Sequence, residues 1–144
     1  MEFRDDIEIA APAETVWDLT IDVERWPDIM PTMKSVEVLD SGAMAGGTRV
    51  RIRQPGMPAR IWTVAEVDAP HRFVWGTRLF GVPMDAVHEL TTTPTGCRNA
   101  LTIRLHGRGA GLLAKLSANR LRATLATENQ AFRDHAEALL RART

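Results

Sequence analysis

The chain opens on a two-residue rhythm. In "FRDDIEIAA" the apolar Phe3, Ile7 and Ile9 share one parity and charged residues fill the gaps, which predicts a strand with one covered face. The rhythm then changes. Pro12 suits the first turn of a helix, Glu14 lies near that helix's positive end, and Val16, Trp17 and Leu19 give it an apolar side. Asp22 is placed to cap a second short turn, "VERW", which Pro27 stops. After that the period of two returns. "MKSVEVLDSG", "GGTRVRIRQPG", "ARIWTVAEVDAP", "HRFVWGTRLFG", "VPMDAVHELTTTPTG" and "CRNALTIRLHGRG" read as six strands punctuated by Pro and Gly, the pattern of an antiparallel sheet.

From Leu112 to about Arg141 nothing breaks a helix. Ala114, Ala118, Leu121, Leu125, Phe132, Ala136 and Leu139 form a seam at three- and four-residue spacing. Roughly 30 residues at 1.5 Å each make a rod of about 45 Å. A lone coiled-coil strand is the alternative for such a length, but an alanine-rich seam laid across a curved sheet accounts for it better. The expected order is strand, two short helices, six strands and a long helix: an α+β fold in one domain, 1–144. A sheet curled around one helix leaves space between them where a small molecule can sit.

Composition narrows the function. Eighteen basic and eighteen acidic side chains cancel, which removes the electrostatic basis for nucleic-acid binding. The single Cys97 has no partner in the chain. "MEFRDDIEIA" is acidic where a secretory leader is basic and then apolar, and no apolar run approaches the length of a membrane span, so a cytoplasmic location is expected. Charge is nevertheless uneven. From Arg104 onward eight Lys or Arg face three acids, either as a solvated helix face or as a surface for peripheral membrane or protein contact.

Several stretches together, "IEIAAPAETVWDLTIDVERWP", "WTVAEVDAPHRFVW" and the terminal helix, resemble the START-like (SRPBCC, helix-grip) superfamily, closest to its polyketide cyclase/dehydrase-like branch. The resemblance covers nearly the whole chain. It implies a curved antiparallel sheet gripping the C-terminal helix, but it does not specify a function, because the fold hosts carriers, sensors and enzymes. In the aromatase/cyclase enzymes of that branch an arginine and a tyrosine of the cavity position the polyketide. Counted from the shared "WP" the tyrosine position falls on Met33, and counted from "R-x-W" at Arg60 and Trp62 the arginine position falls on Asp68. An asparagine of the family's terminal helix matches Asn129. The chain contains no tyrosine. With one position in three matched, a carrier is expected rather than an aromatase.

In that register His88 lies on the cavity parity with Met84, Ala86 and Leu90. It reads either as a core histidine or as a ligand contact and, in an enzyme, the acid–base group. Asn129 interrupts the apolar seam, and its amide needs a partner from the sheet, a water or a ligand. Arg78 and Glu66 read equally as inward groups and as an outward surface pair. Trp26, Met30, Met33, Trp62, Phe80 and Met84 form an apolar, methionine-rich set suited to a carrier's pocket. Trp17 is expected to pack its helix on the sheet and Trp26 to stand at the cavity wall. The four histidines lack metal-ligand spacing, and "GRGAGLLAKLS" lacks the glycine before lysine of a phosphate loop, so it reads as a turn that gates the cavity. Binding of a small hydrophobic molecule (lipid, isoprenoid or polyketide) without cofactor or metal, by a monomer or homodimer, is the first reading. A cyclase or dehydratase using His88 is the second, and docking through the basic helix the third.

Overall fold

The computed structural model describes residues 1–143. Strand β1 (Glu2–Ile9) is followed by α1 (Ala13–Ile21), a single 3-10 turn (Val23–Arg25) and the short α2 (Trp26–Ile29). Six strands follow: β2 (Ser35–Val38), β3 (Arg49–Arg53), β4 (Arg60–Asp68), β5 (Arg72–Leu79), β6 (Val82–Thr93) and β7 (Gly96–Leu105). The chain then enters α3 (Ala110–Ala142). All pairings are antiparallel, in the order β1-β7-β6-β5-β4-β3-β2. The first strand therefore closes on the last, and α1 and α2 carry the chain from one edge of the sheet to the other. This is the helix-grip arrangement the sequence predicts.

The strand rhythm explains which face is covered. Val50 and Ile52 are buried while Arg49, Arg51 and Arg53 face water. Arg49 and Arg51 there pair with Asp40 and Glu37 across the edge of the sheet. In β4 the rhythm breaks. A bulge between Val64 and Glu66 shifts the register against β5, so Trp62 and Val64 point in, Glu66 does not, and Val67 turns partly inward. An extra residue of this kind bends and twists its strand. Close approach governs one turn: a Cβ on Gly96 would lie 2.1 Å from the Ile9 carbonyl oxygen.

The helix α3 starts two residues earlier than its apolar pattern suggests, after Gly107 and Gly109 adopt positive φ. The "GRGAG" stretch is thus partly turn and partly first helical turn. Leu125, Phe132 and Ala136 bury the second half of the helix against the sheet. Asn129 is completely buried beside them. Its Nδ2 donates to the Asp5 backbone carbonyl (2.8 Å) and carboxylate (2.7 Å) of β1, and its Oδ1 accepts from Asn99 Nδ2 of β7 (2.9 Å). The amide in the apolar seam is therefore bound by the sheet. Among the described residues no helix is long and apolar enough to cross a membrane.

Candidate functional site

A cavity of about 300 Å³ lies between the concave sheet face and α3. Its apolar wall is made by Trp26, Met33, Trp62, Trp75, Met84 and Ala86. Trp26 packs edge to face on Trp75 (5.3 Å) and on Phe132 (5.8 Å), and Trp62 stands 5.3 Å from Trp75 with the rings tilted. Such contacts fix ring orientation and hold the wall open against collapse. Trp26 is also tied to the first helix, since its Nε1–H donates to the Leu19 carbonyl at 2.9 Å. It is 1% exposed, so it serves the core and the wall together, and the expected division of labour with Trp17 is incomplete.

Polar groups interrupt this wall at a few points. His88 projects from β6, with its ring among Trp26, Phe73 and Phe132. Burial pushes its pKa down to about 4, so the imidazole is neutral at physiological pH. Its Nδ1 has no hydrogen-bond partner. Glu128, on α3, faces the same space. It is 8% exposed, accepts a hydrogen bond from Thr32 Oγ1 at 3.0 Å, and burial pushes its pKa up to about 7. Desolvation thus acts on both groups by disfavouring charge, and their pKa values have crossed: the carboxyl holds its proton longer than the imidazole. Gln54 and Arg60 line the space from the sheet side, and Ser117, Arg120 and Thr124 from the helix.

Of the predicted site residues, Trp26, Met33, Trp62, Met84 and His88 line the cavity, and Phe80 stands at its edge, 80% exposed, in the β5–β6 turn. Three lie elsewhere. Met30 is buried at the end of α2, outside the wall. Arg78 lies opposite in parity to Phe73, Trp75 and Leu79; it faces out and donates to the Gly81 carbonyl. Asn129 is consumed by the sheet. Arg78 and Glu66 form no pair, because the β4 bulge turns Glu66 outward onto Arg72. Asp68, counted onto the arginine position, is exposed at the end of β4; on the sheet side the arginine that lines the cavity is Arg60.

Arg60, Trp75, Arg120 and Glu128 were missed by sequence reasoning. Two carried a legible signal: Arg60 shares the inward parity of Trp62, and Glu128 sits on the seam three residues after Leu125 and four before Phe132.

The model of the polyketide cyclase/dehydrase and lipid transport family matches residues 1–139. A "putative polyketide cyclase" of Streptomyces cyaneus is 35% identical over 101 residues, 66% of either chain. One of Streptomyces halstedii is 40% identical over 63 residues, 42% of this chain and 54% of that one. The chain's matches thus span about two thirds and about half of these relatives' lengths. Among solved structures, the Zhui aromatase/cyclase from Streptomyces sp. R1128 superposes with a TM-score of 0.71 at 21% identity, covering 99% of this chain and 97% of that one. Ara h 8.0201 superposes at 0.77 with 12% identity, covering 96% and 98%. At such identities these two speak to the fold alone. The family match, over nearly the full length, does more: this chain is a START-like protein and belongs to the polyketide cyclase/dehydrase and lipid transport family.

Proposed function

We propose that the protein binds a small, mainly apolar molecule in the space between the sheet and α3. The observation that carries this reading is the cavity itself: three tryptophans and three methionines around about 300 Å³ of space, with a few polar groups set among them. Small-molecule sites have this make-up, an apolar lining with sparse, placed polar atoms. The volume suits a fused aromatic of two or three rings, a short isoprenoid or a folded acyl segment, and is small for a two-chain lipid. Native mass spectrometry of the purified protein, with a titration followed by tryptophan emission, tests it. A retained or added ligand that quenches wild type but less so Trp62→Phe is expected; no bound species and no quench by any aromatic probe refutes it.

A second reading, a cyclase or dehydratase, is favoured by Glu128. A carboxyl whose pKa lies near neutrality can give and take a proton at the same pH, which suits general acid–base work on a ligand held against it. His88, with its pKa near 4, is a much weaker base. This reading therefore transfers the acid–base role from His88 to Glu128. Turnover of a poly-β-keto mimic that is lost in Glu128→Gln, with ligand affinity retained, supports it; equal turnover in that variant removes it. The third, peripheral docking, rests on Leu112 and Leu116, exposed on the first turns of α3 with Lys115 between them. Sedimentation with anionic vesicles that weakens as salt rises is its test.

A further inference from the structure

Half of the sixteen arginines of this protein have a carboxylate partner. Among the described residues, eight stand within ion-pair distance of a carboxylate: Arg4, Arg25, Arg49, Arg51, Arg72, Arg98, Arg104 and Arg133. Two of the others line the cavity. Neither Arg60, at the start of β4, nor Arg120, on α3, has a carboxylate partner. Arg60 is half-buried and spends one N–H on the thioether of Met57 at 3.1 Å, a weak acceptor. Burial lowers its pKa, and the like charge of Arg120 adds to the effect.

The surroundings offer little internal counter-charge. Residues 41–65, 69–84 and 90–127, which carry the β3–β4 loop, the β5–β6 turn and the first half of α3, contain no Asp or Glu. Glu128 lines the same cavity, but it accepts from Thr32 and, with burial pushing its pKa up to about 7, is only partly ionised near neutral pH. Two cations converging on an apolar space, one of them partly stripped of water, are poorly accommodated until an anion joins them. Their planar, forked donors match an oxyanion of carboxylate or phosphate type.

Building on the ligand-binding reading, we propose that the cavity's ligand is an amphipathic anion, with an aromatic or similarly flat apolar body against Trp62 and Trp75 and an oxyanion held by Arg60 and Arg120. The oxyanion belongs at the end where the β3–β4 loop meets the helix, and the body extends toward Trp26 and Met84.

Isothermal titration calorimetry near neutral pH with 2-naphthoate, 2-naphthyl phosphate and the neutral 2-naphthamide tests this. Charge-assisted hydrogen bonds of the usual strength correspond to roughly 10- to 100-fold in affinity. The wild type is expected to prefer one of the anions over the amide by at least about 10-fold, and the preferred one identifies the oxyanion. Arg60→Gln and Arg120→Gln should each erase most of that preference, with amide affinity falling far less than anion affinity; Arg60→Lys should retain part of it. Should Arg60→Gln misfold, Arg120→Gln on the exposed helix face carries the test. Equal binding of the anions and the amide, or a preference that survives Arg120→Gln, overturns the anion proposal and leaves ligand binding standing. Failure of all three probes to bind overturns both.

Discussion

Glu128 offers the sharpest quantitative test, because its ionisation is coupled to folding. In the unfolded chain its carboxyl titrates near the ordinary 4.5; in the fold, burial raises this to about 7. Between those values the folded protein binds the extra proton, so stability falls as pH rises. Below about pH 4.5 both states are protonated and there is no cost. Above about pH 7 the folded state carries a buried carboxylate. At about 1.4 kcal/mol per pH unit the interval from 4.5 to about 7 amounts to about 3 kcal/mol. That is a large share of the roughly 5–15 kcal/mol that holds a domain together. His88 works in the opposite sense. Its pKa falls from 6.5 to about 4, so its contribution is lost as pH falls through that range, and the two slopes nearly cancel between about pH 4.5 and 6.5. Glu128→Gln separates them. Glutamine keeps the shape and accepts from Thr32, but does not titrate. Urea unfolding of both proteins across about pH 4.5 to 8.5 should show the variant gaining on wild type as pH rises, by about 2–3 kcal/mol at the alkaline end. With the carboxyl removed, the rising His88 slope should emerge below about pH 6.5. A stability difference that does not change with pH would refute the assigned environment of Glu128.

Asn129→Ala should lower stability by about 2–4 kcal/mol, since it leaves Asn99 and Asp5 without their buried partner; thermal melting checks it. Trp26→Leu should cost about 3 kcal/mol or more, because the residue carries both the Leu19 hydrogen bond and the ring contacts with Trp75 and Phe132. A variant as stable as wild type would return Trp26 to a purely ligand-facing role. Phe80 holds φ at +50° in a tight turn before Gly81, a conformation asparagine adopts more easily. Phe80→Asn should therefore raise stability by about 0.5–1 kcal/mol, read from the urea midpoint.

What could be read from the chain alone follows the strength of local rules. The sheet was legible because its strands alternate, as in Val50 and Ile52 against Arg49, Arg51 and Arg53. The long helix was legible because Leu125, Phe132 and Ala136 keep their spacing. The site was less so. A bulge has no fixed sequence signature, so the inward parity of Trp62 and Val64 does not extend to Glu66. The chain alone left Asn129 open to the sheet, a water or a ligand; the partners that saturate it, Asp5 and Asn99, lie far off in sequence. Glu128 escaped notice for a different reason: charge is a strong argument for the outside, and only the apolar spacing of its neighbours argued against it.

The way α3 is supported has a mechanical consequence. Ala110, Leu113 and Ala114 seat its first turns and Leu125, Asn129, Phe132 and Ala136 its second half, but no side chain from Lys115 to Thr124 is buried. The helix crosses the cavity as a beam resting on two piers, with only partly buried contacts, such as those of Ala118 and Leu121, along the span. Backbone hydrogen bonds there have few apolar contacts to shield them, so their amides should exchange with solvent faster than those of either pier. A molecule in the cavity touches the span from below, through Ser117, Leu121 and Thr124. A ligand bound as proposed would supply the missing support, and the exchange of those amides would report its arrival without any label on the ligand.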